Sequence, residues 1–587
     1  MSQSELQAKM NEGLGLFQAG HPAEAFSAYQ GVLALSPDHV DALNMAGVCA
    51  WQAGDTSVAL GLLDQAMARH PSHPDAYANL GVILEVYGRF EDAANAYKAS
   101  LEAKPGNVLV LMNLSNALSQ MGAYGEVLDV LDQVLSRTPT DVDALNSKAL
   151  ALKEFGRTED ALACLQTALE ADQTSVRTWT NLGLLYRTDG QPEKAFEAYD
   201  KALEIEPGSL KVLNNVAVLH RWEGNLDEAA AICEGILSAQ PDQVEVLNNL
   251  GDTYQALARL KEARVCFEKV LALAPEHPEG HHNLAVLLLL AGDFENGWKH
   301  YEWRWLAKEF PSERRNFPQP LWTGEDLGGK TILLYVEQGL GDALQFVRYA
   351  PLVQQRGGRV LVECPKVLKT LFEGVAGIDQ VIARGDSLPT FAVQCPFLSL
   401  PGLLSPNEQS IPTDVPYIEI SDETQEVWAK RLASDTSFKV GLVWAGNPTH
   451  TNDRERSVPL SRFEPLSTVP GCSFYSLQIG ERAGQVKDVS WPVQDLTGDI
   501  DDYADTAAFV EQLDVVITVD TSVAHVSGAL GKDVWVLLPF APDWRWQMDR
   551  TDSPWYPTMK LFRQPKRRDW DRVFRDLLAA LSARVGG

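Results

Sequence analysis

One spacing governs the first half of this chain. Pro37, Pro71, Pro105, Pro139, Pro207, Pro241 and Pro275 fall on a single 34-residue grid, and Gln173 fills its one vacant node. Gly13, Gly47, Gly81, Gly183 and Gly251 recur on the same period, with Ser115, Ala149, Ala217 and Ala285 at the other nodes. A second small row, Ala25, Ala59, Ala93, Ala161, Ala195, Ala229 and Ala263, is followed four positions later by larger residues such as Tyr29, Tyr97, Tyr199 and Phe267. A spacing of four keeps such pairs on one helical face. Each period therefore reads as two helices that approach across small residues, ended by a proline that cannot continue the helix. A hairpin of that size buries its apolar face only against neighbours, so the periods must stack into a solenoid.

This pattern resembles the tetratricopeptide repeat, with residues 6 to about 305 holding roughly nine units. The resemblance implies a right-handed superhelix whose concave surface holds another protein. Asn79, Asn113, Asn181, Asn215, Asn249 and Asn283 keep the same grid, with Ser147 at the missing node. A carboxamide donates and accepts at once and can pair with any peptide unit, which makes this row a candidate acceptor-binding ladder. The plainer alternative is that these amides tie neighbouring helices together. The resemblance to nucleocytoplasmic O-GlcNAc transferases, whose solenoid grips acceptor peptides with an asparagine ladder, implies the binding role.

Charge narrows the partners. The formal net charge of −29 over 587 residues repels phosphate backbones and anionic lipid, so neither nucleic acid nor a membrane is expected as a partner. The opening MSQSELQAKMNEGL lacks the basic and apolar stretches of a secretory signal, and the apolar run Leu284–Ala291 is too short to span a bilayer. Cys49, Cys164, Cys233, Cys266, Cys364, Cys395 and Cys472 show neither CxxC nor metal-ligand spacing. A cytoplasmic protein is expected.

The repeat fades at Gly292–Trp298, and the aromatic stretch Tyr301–Trp305 reads as a capping helix that docks onto a new domain. Residues 306–329 form a linker rich in Pro, Gly and charge. From Lys330 the period changes: Thr331–Glu337 and Arg359–Cys364 read as buried strands, with a helix over Ala343–Arg356 and another over Val367–Glu373. A second set opens at Val440–Trp444 and continues through Ser473–Gln478, Val515–Val519 and Val534–Leu538. Two successive doubly wound units, 330–435 and 436–587, predict a cleft between two Rossmann-like lobes with ligand loops at strand C-termini. The last helix, Trp570–Arg584, is expected to pack back on the first lobe.

Four loops carry the chemistry. Asp520-Thr521-Ser522 follows a buried strand and opens a helix containing His525; free N–H groups and two hydroxyls make a phosphate site there, or Asp520 or Thr521 is only an N-cap above a buried histidine. Arg454 and Arg456, in the loop with Asn447, either neutralise a leaving phosphate or are solvated. Gly339 and Gly341 let backbone approach a ligand, and Asp342 is placed to take a proton from an acceptor hydroxyl, unless it merely favours a helix N-terminus. Gln478 ends a strand facing the cleft. Trp544, Arg545 and Trp546 shape the cleft rim or simply pack. Asp499, Asp501 and Asp502 read as a solvated loop rather than a metal site.

The segments 339–346, 444–457, 496–508 and 520–532 resemble loops of GT-B nucleotide-sugar glycosyltransferases, in particular bacterial heptosyltransferases and tetratricopeptide-linked protein glycosyltransferases. The resemblance implies Asp342 as base, a donor site that adds Thr497 as a base-contacting residue and places His525 near the phosphates, and no metal or resident cofactor. Its implied activity is protein O-glycosylation of Ser or Thr on an acceptor held by the repeats. In domain order the chain is most similar to flagellin glycosyltransferases that use a nonulosonic (pseudaminic-type) acid, so flagellin and CMP-nonulosonate are the expected acceptor and donor, with UDP-GlcNAc and ADP-heptose as rivals. Two alternatives stand beside this: a scaffold or chaperone that binds a nucleotide sugar without catalysis, and a glycolipid transferase.

Overall fold

A computed structural model describes residues 3–308, 310, 312, 314–450 and 452–586. Thr451, inside the motif that carries Arg454 and Arg456, and parts of the linker lie outside the described residues. The chain forms two compact units, Met1–Ile232 and Cys233–Gly587, whose division falls inside the helix Leu226–Ala239.

In the first unit every period becomes a pair of helices, as in Pro74–Val86 with Phe90–Ala103 and Val176–Thr188 with Pro192–Ile205. The small row does what its spacing implies. A Cβ added to Gly81 would lie 2.4 Å from the Tyr97 ring, and one added to Gly183 would lie 2.4 Å from the Tyr199 ring. Both tyrosines are fully buried beneath that contact. The turn inside each hairpin has its own 34-residue row: Gly20, Gly54, Gly88, Gly122, Gly156, Gly190 and Gly224 all adopt positive φ, which glycine tolerates at no steric cost.

The second unit opens with two further hairpins, Val244–Ala256 with Leu260–Leu273 and Pro278–Leu290 with Phe294–Tyr301, then a 3-10 turn over Glu302–Leu306. These cap an α/β region. Phe294 meets Trp555 edge-on at 5.9 Å and Trp298 meets Trp544 at 5.3 Å. The fully buried Arg304 donates to Glu302 (2.8 Å), Glu337 (3.1 Å) and Ser399 (2.9 Å), and its guanidinium lies over the Tyr301 and Trp305 rings.

Two parallel sheets follow. The first holds β1 (Thr331–Tyr335), β2 (Arg359–Cys364), β3 (Gln380–Ala383) and β4 (Val393–Pro396) in the order β3-β2-β1-β4. The second holds β5 (Phe438–Val443), β6 (Cys472–Ser476), β7 (Gln494–Asp495), β8 (Val515–Val519), β9 (Val534–Leu538) and β10 (Met559–Arg563) in the order β10-β9-β8-β5-β6-β7. In each sheet the strand order reverses beside the first strand, at β1/β4 and at β5/β8. The connecting helix Asp422–Leu432 leans on the second lobe, with Trp428 stacked on Phe509 at 4.6 Å.

Two expectations are corrected. The final helix, Trp570–Gly586, packs on its own sheet: Val573, Phe574, Leu577 and Leu581 share a core with Val440, Leu442, Ile517 and Leu537, and Phe463 meets Phe574 at 5.0 Å. An amphipathic helix buries its apolar face on the nearest uncovered sheet face, and the second lobe supplies one. The single helix expected over Ala343–Arg356 is instead Leu340–Phe346, a 3-10 turn Val347–Tyr349, and Ala350–Gln354. Pro351 has no N–H to continue the ladder.

Candidate functional site

Parallel α/β sheets hold ligands beyond the carboxyl ends of their strands, where strand order reverses. Here a cavity of about 620 Å³ lies at both such points, between the loop after β1 and the loops after β5 and β8. Gly339, Gly341, Asp342, Asn447, Arg456, Gln478, Asp520, Thr521, Ser522 and His525 all line it. Arg454 and Thr497 do not; Arg454 is exposed, and the Thr497 hydroxyl donates to Asp495 at 2.6 Å on the edge of the second sheet.

The lobes touch through their most local motif. A Cβ on Gly341 would lie 2.9 Å from the His525 ring, so only glycine lets the first lobe's loop settle onto the second lobe's helix Ser522–Ala529. Burial drives the His525 imidazole well below its ordinary range, reinforced by Arg545 and Arg348, so the ring is neutral. It sits against Tyr556 Oη (3.0 Å from Nδ1) and stacks on Trp546. Beside it, Ser522 Oγ lies 2.6 Å from Tyr503 Oη, and Thr521 Oγ1 lies 3.1 Å from Thr518 Oγ1.

Asp342 is held more tightly than its motif suggests. Its Oδ2 accepts from the Gly339 N–H (2.9 Å), and its Oδ1 is paired with the Arg545 guanidinium. Arg545 also reaches Gln345 Oε1 (2.7 Å) and Asp543 Oδ1 (2.8 Å), joining the two lobes with one buried cation. Burial opposes that charge, but Asp543 and Asp342 outweigh it and raise the Arg545 pKa. Burial likewise raises the Asp342 carboxyl, with Arg545 pulling it back. Asp520, at the end of β8, is pushed up to about 6, first by burial and then by the Asp543 charge, against the pull of Arg456.

On the β5 side, Gln478 shapes the wall: its Oε1 accepts from the Trp444 (3.1 Å) and Ala445 (2.9 Å) N–H groups. Asn447 closes an Asx turn onto Thr449 (3.1 Å from its N–H). Arg456 lies so close over Gly446 that a Cβ there would meet its Nη2 at 2.6 Å, and its Nε is buried with no hydrogen-bond partner among the described residues. Arg482 is steered by Asp453 (2.8 Å), which also accepts from Ser457 (2.6 Å). The arrangement offers guanidinium and N–H donors for an anion, hydroxyls for phosphate oxygens, and two carboxyls, Asp342 and Asp520, that burial raises.

The structure adds His450, Arg482, Tyr503, Thr506 and Asp543 to the lining, and it places Arg545, expected to shape the cleft rim or to pack, in the lining as well. Its pairing with Asp342 spans 203 residues and leaves no local trace in the sequence. Asp499 is paired with Arg431.

The asparagine row divides. Asn79 donates to Asn44 (2.9 Å) and Asn181 to Asn146 (2.8 Å) in the first unit, and Asn283 to Asn248 (3.2 Å) in the second. Each bond joins adjacent hairpins, so these three amides tie helices together, and Asn181 is buried. Asn113 bonds the Tyr97 hydroxyl of the preceding hairpin, and Asn79, Asn113, Asn215, Asn249 and Asn283 are all half-exposed. Among the described residues no helix is long and apolar enough to cross a membrane.

Family profiles described as tetratricopeptide repeat match residues 10–66, 50–108, 87–150 and 208–276, and one described as the N-terminal TPR repeats region of Psidin matches 120–218. Among curated proteins, the chain is 26% identical over 328 residues to Protein FlbA of Caulobacter vibrioides, covering 51% of this chain and 54% of that one. It thus spans about half the length of the curated relative it matches. Among solved structures, a tetratricopeptide repeat protein from Parabacteroides merdae is 19% identical (42% of this chain, 98% of that chain, TM-score 0.40). The pilF structure of Pseudomonas aeruginosa is 18% identical (35% and 94%, TM-score 0.32). The N-terminal part of the chain is accordingly an array of tetratricopeptide repeats.

Proposed function

We propose that the chain is a metal-independent GT-B glycosyltransferase, taking a sugar from a nucleotide-activated donor in the cavity and passing it to a Ser or Thr hydroxyl of a protein held by the repeats. The observation that carries this reading is convergence: the glycine loop after β1, the Arg456 loop after β5 and the hydroxyl-bearing loop after β8 all line one cavity. Arg456, Arg482 and the N–H groups opening Ser522–Ala529 hold the donor phosphates.

In the transfer, the acceptor oxygen bonds to the anomeric carbon while the carbon–oxygen bond to phosphate breaks. The nucleotide leaves with that electron pair, and the hydroxyl proton passes to Asp342. A carboxylate has about four acceptor positions, so the Gly339 and Arg545 contacts leave Asp342 room for that proton. The neutral His525 contributes a hydrogen bond rather than charge. On domain order, flagellin is the proposed acceptor and CMP-nonulosonate the proposed donor, with ADP-heptose and UDP-GlcNAc as rivals.

One observation favours a second reading, a nucleotide-sugar-binding scaffold without turnover: Arg545 occupies the carboxylate assigned as base. Nucleotide release with each of these donors in the presence of flagellin, for wild type and Asp342→Ala, separates the two. The enzyme reading expects release by wild type and its loss in the variant, with donor binding retained. Binding without release in either protein overturns it.

A further inference from the structure

Among the described residues, four side-chain hydroxyls line the cavity, those of Tyr503, Thr506, Thr521 and Ser522. Each hydroxyl has one hydrogen to give, so its capacity to donate to a ligand depends on where that hydrogen already goes. The Thr506 hydrogen goes to the Asp502 carbonyl at 3.2 Å, at the start of the helix Tyr503–Glu511. Buried Thr518, behind the cavity, gives its own to the Val519 carbonyl at 2.7 Å. In its 3.1 Å contact with Thr521, Thr518 can therefore only accept, and the Thr521 hydrogen is spent there. Tyr503 Oη and Ser522 Oγ lie 2.6 Å apart and bring two hydrogens to one contact. One hydrogen is left over.

Acidity decides which of the pair keeps it. A phenol, with a pKa of about 10, is a stronger donor and a weaker acceptor than an aliphatic alcohol. Burial raises the Tyr503 phenol further, so it holds its proton at neutral pH and has it to give. The geometry of the giving is fixed at both ends. Asp502 caps the Tyr503 helix by accepting from the Ala504 (2.7 Å) and Asp505 (3.3 Å) N–H groups, and Ser522 opens the helix Ser522–Ala529.

We propose that Tyr503 is a positioning residue: its phenol donates to Ser522 Oγ and turns the Ser522 hydrogen into the cavity, making Ser522 the one hydroxyl that donates to the nucleotide phosphate. The proposal rests on the reading that donor phosphates lie at the start of Ser522–Ala529, and it assigns the hydroxyl and its orienting partner. Without the phenol, the Ser522 hydroxyl is free to turn onto a carbonyl of its own chain, as Ser115 does onto Met112 at 2.7 Å.

Calorimetry on the full chain with CMP and UDP, and with cytidine and uridine, tests it. Tyr503→Phe keeps the ring and removes the phenol, and Ser522→Ala removes the donor itself. Each is expected to weaken CMP and UDP binding about tenfold, the worth of one hydrogen bond to a charged group. The double variant is expected to lose about tenfold as well, not about a hundredfold, because both changes delete one contact. Cytidine and uridine lack the phosphate and should bind all three variants as they bind wild type. Wild-type nucleotide affinity in either single variant, additive losses, or an equal loss for the nucleosides overturns the proposal. Failure of wild type to bind CMP or UDP instead overturns the donor-site reading, and the proposal with it.

Discussion

Replacing Arg304 with Met removes a buried cation while keeping most of its volume. Arg304 is fully buried, and its partner Glu337 is almost so, with a side chain 1% exposed. Burial raises the Glu337 carboxyl to about 7, with Arg304 the first influence pulling it down. Without Arg304 the carboxyl rises further. At pH 8 the variant must then keep an uncompensated buried charge or hold a proton against the solvent, a cost of about 3–5 kcal/mol. At pH 5 the carboxyl is protonated in both proteins, and the variant lacks neutral or exposed-partner hydrogen bonds to Ser399, Glu302, Glu337 and the Tyr301 carbonyl, about 1 kcal/mol each. The sign follows from linkage: a folded-state pKa above the unfolded value gives stability that is present below about 4.5 and lost as pH rises through about 7. The variant's deficit therefore grows from pH 5 to pH 8. Urea melts followed by tryptophan fluorescence report it, since all but Trp51, Trp179 and Trp222 of the 15 tryptophans lie in the second unit. Adding Glu337→Gln should remove the pH dependence. Equal deficits at both pH values, or a double variant as pH-sensitive as the single, would refute the reasoning.

Three further outcomes follow from named contacts. Ala258 holds φ 58° in the turn row where glycine stands in every other hairpin, so Ala258→Gly is expected to stabilise the second unit by about 0.5–1 kcal/mol in the same urea melt. Gly446→Ala places a Cβ 2.6 Å from the Arg456 tip and should weaken CMP and UDP binding by about tenfold in calorimetry without lowering the melting temperature. Protonating Asp520 removes negative charge from an anion site, so CMP and UDP binding should tighten as pH falls through about 6, and Asp520→Asn should flatten that dependence.

The repeat was legible because a solenoid writes the same contact many times: Gly81 on Tyr97 and Gly183 on Tyr199 are one packing solution at two nodes. The long buried strands β1, β2, β5, β8 and β9 were legible as continuous apolar runs. β7 is two exposed residues and β10 carries Lys560 and Arg563, so neither announces itself by pattern. The cavity was legible where the chemistry sits in one loop, as in Gly339–Asp342 and Asp520–His525. Its electrostatics were not. Arg545 draws its meaning from Asp342 and Gln345 in the other lobe, and the inter-hairpin bonds of Asn79 and Asn181 depend on partners 35 residues back in the previous hairpin. The final helix gave a clear amphipathic pattern, but amphipathicity does not say which sheet an apolar face will choose.

The most direct test of the central claim is intact-mass analysis of proteins that co-purify with this chain, from cells with and without it. Protein glycosylation predicts a partner whose mass carries sugar increments on Ser or Thr, lost when the chain is deleted and restored by wild type but not by Asp342→Ala. Partners of identical mass in both cells would contradict it and leave a binding scaffold.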